Sequence, residues 1–204
     1  MKISHKELEA CRISPKNWVV ARQSAGGARR FSYKQALSLA ISELHRTDSV
    51  GAANKKIDKY VASNFKDERK IAKLYEILDN YAKWFGESGI ISADANVLLA
   101  YPSNSQWQLG GIVSRVDLLP FGYRAVLFEP IISAWKGQLR MPLIQMAVAN
   151  RYGRPASEVR VGLQDIDGNA VVDARYTKSE QSQALTEFEG IGVKVAKLLP
   201  ASFQ

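Results

Sequence analysis

The spacing of apolar residues changes near Gly89. Before this point apolar residues recur every three or four positions, as in segments 33–44 and 67–85, which is the spacing of a helix with one buried face. After it, short runs rich in β-branched and aromatic residues alternate with one helical pattern. This order of elements predicts an α/β sandwich in which helices flank a mixed central sheet.

Capping boxes mark three predicted helix starts, because a Ser or Thr is followed three residues later by Glu or Gln. The pairs are Ser4 with Glu7, Ser32 with Gln35, and Thr177 with Glu180. Further helices are predicted over 52–65 and 67–85. We therefore predict a helical region over residues 1–90 and an α/β core over 91–204, packed as one compact domain.

Strands are predicted over five segments of the second region: 97–101, 106–119, 124–132, 158–165 and 170–176. Turn residues separate the first pair at 102–105 and the last pair at 167–169. A helix over 140–151 falls between the third and fourth strands. The segment 24–30, rich in Gly, Ala and Ser, predicts a loop.

Composition favours a polyanionic partner, since 28 Lys and Arg against 20 Asp and Glu give a formal charge of +8. The single cysteine, Cys11, excludes an internal disulfide, a four-thiolate zinc site and a self-contained iron–sulfur cluster. The first residues have no apolar signal region, and no later stretch approaches the roughly 20 apolar residues that span a bilayer. The sequence therefore predicts a cytoplasmic protein that does not enter a membrane.

Two acidic residues fall at the ends of neighbouring predicted strands, with a polar helix residue close behind them in sequence. They are Asp117 and Glu129, and the helix residue is Gln145. Carboxylates at adjacent strand ends can hold one or two Mg²⁺ ions, which activate water and neutralise charge during phosphodiester hydrolysis.

The segment Ser114-Arg115-Val116-Asp117, the pair Phe128-Glu129 and Gln145, in this order of elements, resemble the RecB-like branch of the PD-(D/E)XK nuclease superfamily. The resemblance covers roughly residues 95 to 180. In that branch a Gly-Arg-x-Asp strand, an Asp/Glu-x-Lys strand and a Gln-bearing helix surround the metals. The resemblance implies that Asp117 and Glu129 bind Mg²⁺ and that Gln145 orients the site or contacts DNA.

His45 corresponds in this resemblance to a histidine on an upstream helix that serves as an additional metal ligand. The alternative is a histidine on the helix surface, in the last turn, where it interacts with the helix dipole.

The sequence departs from the family pattern at Ile131, which stands where the motif lysine is expected. Loss of one preorganised electrostatic group costs on the order of 10²–10³-fold in rate. Lys136 and Arg140 are the candidate replacement cations.

This departure favours a DNA-binding subunit with little or no catalysis, working with other proteins in DNA repair, recombination or phage defence. The alternative is an active Mg²⁺-dependent nuclease that uses Asp117, Glu129 and a relocated Lys or Arg. A third alternative is a basic protein that binds another protein.

The C-terminal segment 179–200 contains Gly190-Ile191-Gly192, whose spacing is similar to a helix-hairpin-helix element. Such a hairpin exposes backbone N–H groups to a DNA phosphate, and Lys194 and Lys197 would add positive charge. The alternative is a single amphipathic helix packed on the sheet.

Overall fold

The computed structural model describes residues 2–24, 32–64, 66–102 and 107–199. The helices within these ranges are α1 (Leu8–Ile13), α2 (Pro15–Ser24), α3 (Tyr33–Thr47), α4 (Val50–Asn64), α5 (Glu68–Ser88), α6 (Arg140–Arg151) and α7 (Lys178–Ala196). The strands are β1 (Lys2–Ser4), β2 (Ile91–Pro102), β3 (Gln108–Leu119), β4 (Gly122–Phe128), β5 (Val159–Asp165) and β6 (Ala170–Ala174). Short 3₁₀ turns occur at Trp135–Gly137 and Ala156–Glu158.

The described strands form one mixed, six-stranded sheet built around β3. β3 pairs antiparallel with β2 on one edge, and on the other edge it pairs parallel with β1 and antiparallel with β4. β5 then pairs parallel with β4, and β6 antiparallel with β5. The predicted fold class, a mixed central sheet flanked by helices, is confirmed.

Two separate apolar cores cover the two faces of the sheet. One core joins α1, α2, α6 and α7 to the sheet, and its fully buried members include Met141, Ile144 and Val161. The other core is formed by α3, α4 and α5, with Phe128 of β4 packed against it. Polar side chains between α5 and the sheet are therefore separated from those beside α6.

Most predicted elements occur near their predicted positions. α6 has the predicted bounds, and the capping boxes at Ser32 and Thr177 are both formed. The third box is wrong: Ser4 ends β1, and α1 begins only after Glu7, which makes no side-chain cap. The cause is tertiary, because residues 2–4 pair with 108–110 of β3.

Two other predictions concern strand ends and loops. β4 ends at Phe128, before the predicted strand end at residue 132, and Pro130 in the remaining segment has no N–H to donate to a sheet. Of the predicted loop at 24–30, Ser24 is the last residue of α2, and residues 25–30 lie outside the described residues. Of the predicted turn residues 102–105, Pro102 is the last residue of β2, and residues 103–105 lie outside the described residues.

α7 runs without interruption through Gly190 and Gly192, so the predicted helix-hairpin-helix element is wrong. The single amphipathic helix is the alternative that the structure confirms. Its backbone N–H groups at these glycines are used within the helix and are not exposed at a helix start. Gly192 is required by packing, since a Cβ there would lie 2.5 Å from Trp107 Cδ1.

Substitution by Ala is therefore expected to have opposite effects on stability at Gly192 and at Gly190. Gly192→Ala is expected to destabilise the protein by about 1–3 kcal/mol, because the buried Trp107 ring has no room to retreat. Gly190→Ala has nothing within 4 Å of the added methyl and is expected to stabilise by up to about 1 kcal/mol through helix propensity. Urea unfolding of both variants measures the difference, and equal changes in unfolding free energy would contradict the packing role of Gly192.

Candidate functional site

Asp117 lies on β3 with its side chain fully buried between two arginines. The Arg115 guanidinium donates from Nε and Nη2 to both carboxylate oxygens, at 2.5 and 3.1 Å. Arg124, directly across the β3–β4 ladder, donates from Nε to Oδ2 at 2.9 Å. The carboxylate therefore has two cationic partners from the protein itself.

Arg115 is fully buried in an aromatic enclosure between the sheet and α5. Its guanidinium carbon lies 5.4–6.0 Å from the ring centroids of Tyr81, Trp84, Phe85 and Phe128. Nη1 also donates to the Gln164 Oε1 atom at 2.8 Å and to the Tyr81 hydroxyl. The guanidinium is thus the positive charge around which the acceptors of this site converge.

His45 lies at the edge of the same cluster. Its Nε2 atom is 2.8 Å from the Tyr81 hydroxyl, and its ring packs edge-on against Phe85. Burial, assisted by the nearby Arg115 charge, lowers the pKa of His45 to about 4, so the ring is neutral at pH 7. His45 is therefore linked to Asp117 through Tyr81 and Arg115, and its partly buried ring packs against the edge of this cluster.

Glu129 follows β4 and forms a bidentate ion pair with the first residue of α6. Arg140 Nη1 and Nη2 lie 3.0 and 2.6 Å from the two Glu129 oxygens. Burial would raise the pKa of the Glu129 carboxyl, but the Arg140 hydrogen bonds outweigh burial and hold that pKa below its usual value. One of the two predicted replacement cations thus contacts Glu129, where it neutralises the carboxylate.

The register of β3 and β4 does not bring Asp117 and Glu129 together. Asp117 is paired with Arg124, and Glu129 lies five residues further along the chain. At about 3.3 Å per residue, that spacing is about 16 Å. The two acids also lie on different sides of the sheet, since Asp117 bonds Arg115 on the α5 side and Glu129 bonds Arg140 of α6.

The shared two-acid metal site expected from the sequence is therefore not formed. Among the described residues, no three His, Cys, Asp or Glu side chains are grouped to hold a metal ion. A Mg²⁺ ion needs several oxygen ligands at about 2.1 Å, and each predicted carboxylate is already bonded to arginine. The residues present do not fit the metal that the resemblance implies.

Gln145 is fully buried in α6 and ties two chain segments together. Its Nε2 donates to the Ala156 and Tyr176 carbonyl oxygens at 2.7 and 3.2 Å, and its Oε1 accepts from the Tyr176 N–H at 2.8 Å. All three bonds are to the backbone. In this structure Gln145 is a structural anchor, away from both acids.

The other predicted site residues lie apart from the acids. Lys136 is exposed in the 3₁₀ turn, with its ammonium 5.9 Å from the Trp135 ring centroid, and its carbonyl accepts a hydrogen bond from the Tyr176 hydroxyl. Lys194 and Lys197 are exposed at the C-terminal end of α7.

Two residues that determine the state of Asp117 were missed from the sequence. Arg115 is two positions before Asp117 on the same strand, a spacing that puts both side chains on one face. Arg124 is found only once the hairpin register is known. The two-residue spacing between Arg115 and Asp117 was visible in the sequence. The pairing of Arg124 with Asp117 depends on the position of the turn at 120–121.

Comparison with known proteins supports the fold. No protein-family model matches the sequence, and no curated protein matches it. Among solved structures, the protein is similar to the crystal structure of a Eubacterium rectale protein named "Putative exonuclease". The TM-score is 0.55 at 9% sequence identity, over 90% of this chain and 73% of that chain. At this identity the likeness concerns the fold alone, so the two proteins share a mixed α/β core.

None of the helices in the described residues combines the length and apolar character needed to cross a membrane.

Proposed function

We propose that this protein binds DNA through a nuclease-like fold and has little or no phosphodiester-cleaving activity of its own. In this proposal it acts as a subunit, with other proteins, in DNA repair, recombination or phage defence. The observation that carries the proposal is the neutralisation of both candidate acids by arginine, together with their separation across the sheet.

The loss of cleavage follows from the chemistry of metal-dependent hydrolysis. The reaction needs carboxylates that are free to bind a cation and are close enough to share it. Asp117 is bonded to Arg115 and Arg124, and releasing it toward a metal would break a fully buried ion pair with Arg115. Arg115 would then have only the neutral acceptors Gln164 and Tyr81, whereas Arg124 would keep its ion pair with Asp173. Ile131 stands in place of the motif lysine, so a positively charged group that would stabilise negative charge during cleavage is also missing.

Charge supports DNA as the partner. The formal charge of +8 favours polyanions, and the first 31 residues contain seven Lys and Arg against two Glu. The nuclease-like fold points to the same kind of ligand, as a fold-level analogy.

Binding of a labelled duplex tests this proposal. Binding is expected to persist in EDTA, to gain nothing from Mg²⁺, and to fall steeply as KCl is raised. Fluorescence anisotropy measures both dependences. Binding that requires Mg²⁺ or Mn²⁺ would argue for the alternative, an active metal-dependent nuclease, and absence of binding in all conditions would reject DNA as the partner.

A further inference from the structure

A cavity of about 660 Å³ lies between the 3₁₀ turn at Ala156–Glu158 and the start of α7. Its walls are Ala156, Ser157, Arg175, Tyr176, Thr177, Lys178 and Gln181. Two of these residues are cationic and exposed, and among the described residues no carboxylate lines the cavity. The side chains that line this recess therefore carry two positive charges, and the Glu180 carboxylate lies beside it, bonded to Thr177.

Buried hydrogen bonds hold the walls of this recess. Gln145 bonds the Ala156 carbonyl on one wall and both the N–H and the carbonyl of Tyr176 on the other. Gln181, only 7% exposed, donates to the same Tyr176 carbonyl at 2.9 Å. The Tyr176 hydroxyl donates to the Lys136 carbonyl at 2.9 Å. Hydrogen bonds from buried side chains therefore fix the backbone that lines the recess.

The positive charge in the recess comes from side chains and not from the start of α7. The N–H of Glu180 is used by Thr177 Oγ1, and the Glu180 carboxylate accepts from the Thr177 N–H and hydroxyl. Arg175 is oriented across the recess by a hydrogen bond from Nη1 to the Ser157 carbonyl at 3.3 Å. Its remaining donors and the Lys178 ammonium supply the charge.

We propose that this recess binds a backbone phosphate of DNA, with Arg175 and Lys178 as the phosphate-contacting side chains. This inference rests on the proposed function and names a contact surface for it. The Arg175 guanidinium and the Lys178 ammonium line one recess and suit a phosphodiester, which carries one negative charge and exposes two oxygens. The contact is independent of base sequence, because every nucleotide presents the same phosphate.

The test compares two double variants of the full-length chain across a KCl series. Arg175→Ala/Lys178→Ala removes both proposed contacts, whereas Lys55→Ala/Lys83→Ala removes two exposed lysines from α4 and α5 on the other side of the sheet. Fluorescence anisotropy with a labelled duplex gives the slope of log affinity against log salt. The first variant is expected to bind more weakly with a slope shallower by about 1–2, and the second to keep the wild-type slope.

The outcomes separate this inference from the proposed function. DNA binding with an unchanged slope in the Arg175/Lys178 variant, or an equal change in both variants, overturns the recess as the contact and leaves DNA binding standing. Absence of DNA binding by the wild-type protein overturns both. Displacement of the duplex by deoxyadenosine monophosphate at equal phosphate concentration would identify a free nucleotide as the occupant and overturn the assignment to DNA.

Discussion

Arg115→Met is expected to lower the free energy of unfolding by about 3–5 kcal/mol, the cost of removing one partner from a buried ion pair. Arg115 is fully buried and bonds both oxygens of Asp117, so Met would leave the carboxylate with only Arg124. The Tyr81 hydroxyl and the Gln164 carbonyl would lose their donor as well. Urea unfolding followed by far-UV circular dichroism measures the loss.

Arg124→Met is the matched control, because it makes the same chemical change at the second partner of Asp117. The Arg124 side chain is 15% exposed, and Arg115 would still neutralise the carboxylate, so a smaller loss is expected. Adding Asp117→Asn to Arg115→Met should recover part of the stability, since the uncompensated charge is removed. An equal or smaller loss of stability for Arg115→Met than for Arg124→Met would contradict the central role of Arg115 in this site.

Gln145→Met is expected to lower the free energy of unfolding by about 2–6 kcal/mol. Met fits the volume but cannot bond, so the Ala156 carbonyl and the Tyr176 N–H lose the partner that Gln145 provides, at roughly 1–3 kcal/mol each. The Tyr176 carbonyl keeps its bond from Gln181. Thermal and urea unfolding measure the loss of stability.

Gln183→Met is the control for this substitution, because Gln183 is exposed on α7. It is expected to change stability by no more than about 0.5 kcal/mol. A Gln145 variant as stable as the Gln183 variant would show that Gln145 does not hold the two segments together, as would be expected if its role were to contact DNA.

Local sequence signals predicted the fold well where local and tertiary demands agree. The period-3.6 pattern and the capping residues located α3 and α7, and the apolar run before Tyr152 located α6. The same signals failed at Ser4, because pairing of β1 with β3 outweighed a capping box that was present in the sequence. The Gly190-Ile191-Gly192 spacing was also misleading, because α7 continues through both glycines.

The candidate site was less predictable, because its geometry depends on strand register. Asp117 and Glu129 are twelve residues apart in sequence, a separation that can place two hairpin residues close together. Whether it does depends on the position of the turn, and here the turn pairs Asp117 with Arg124. A shift of register by one residue also exchanges the faces of the sheet, so neither the distance nor the side can be inferred from the motif alone.

Binding of DNA without cleavage is tested most directly by a cleavage assay with the wild-type protein, under conditions in which DNA binding has been measured. Labelled linear duplex and single-stranded DNA are incubated with excess protein in Mg²⁺ or Mn²⁺, and the products are resolved on a denaturing gel. DNA is expected to be bound and to remain intact, because both candidate acids are neutralised by arginine and the strand register does not bring them together. Metal-dependent cleavage that disappears in a folded Asp117→Asn variant would contradict this expectation.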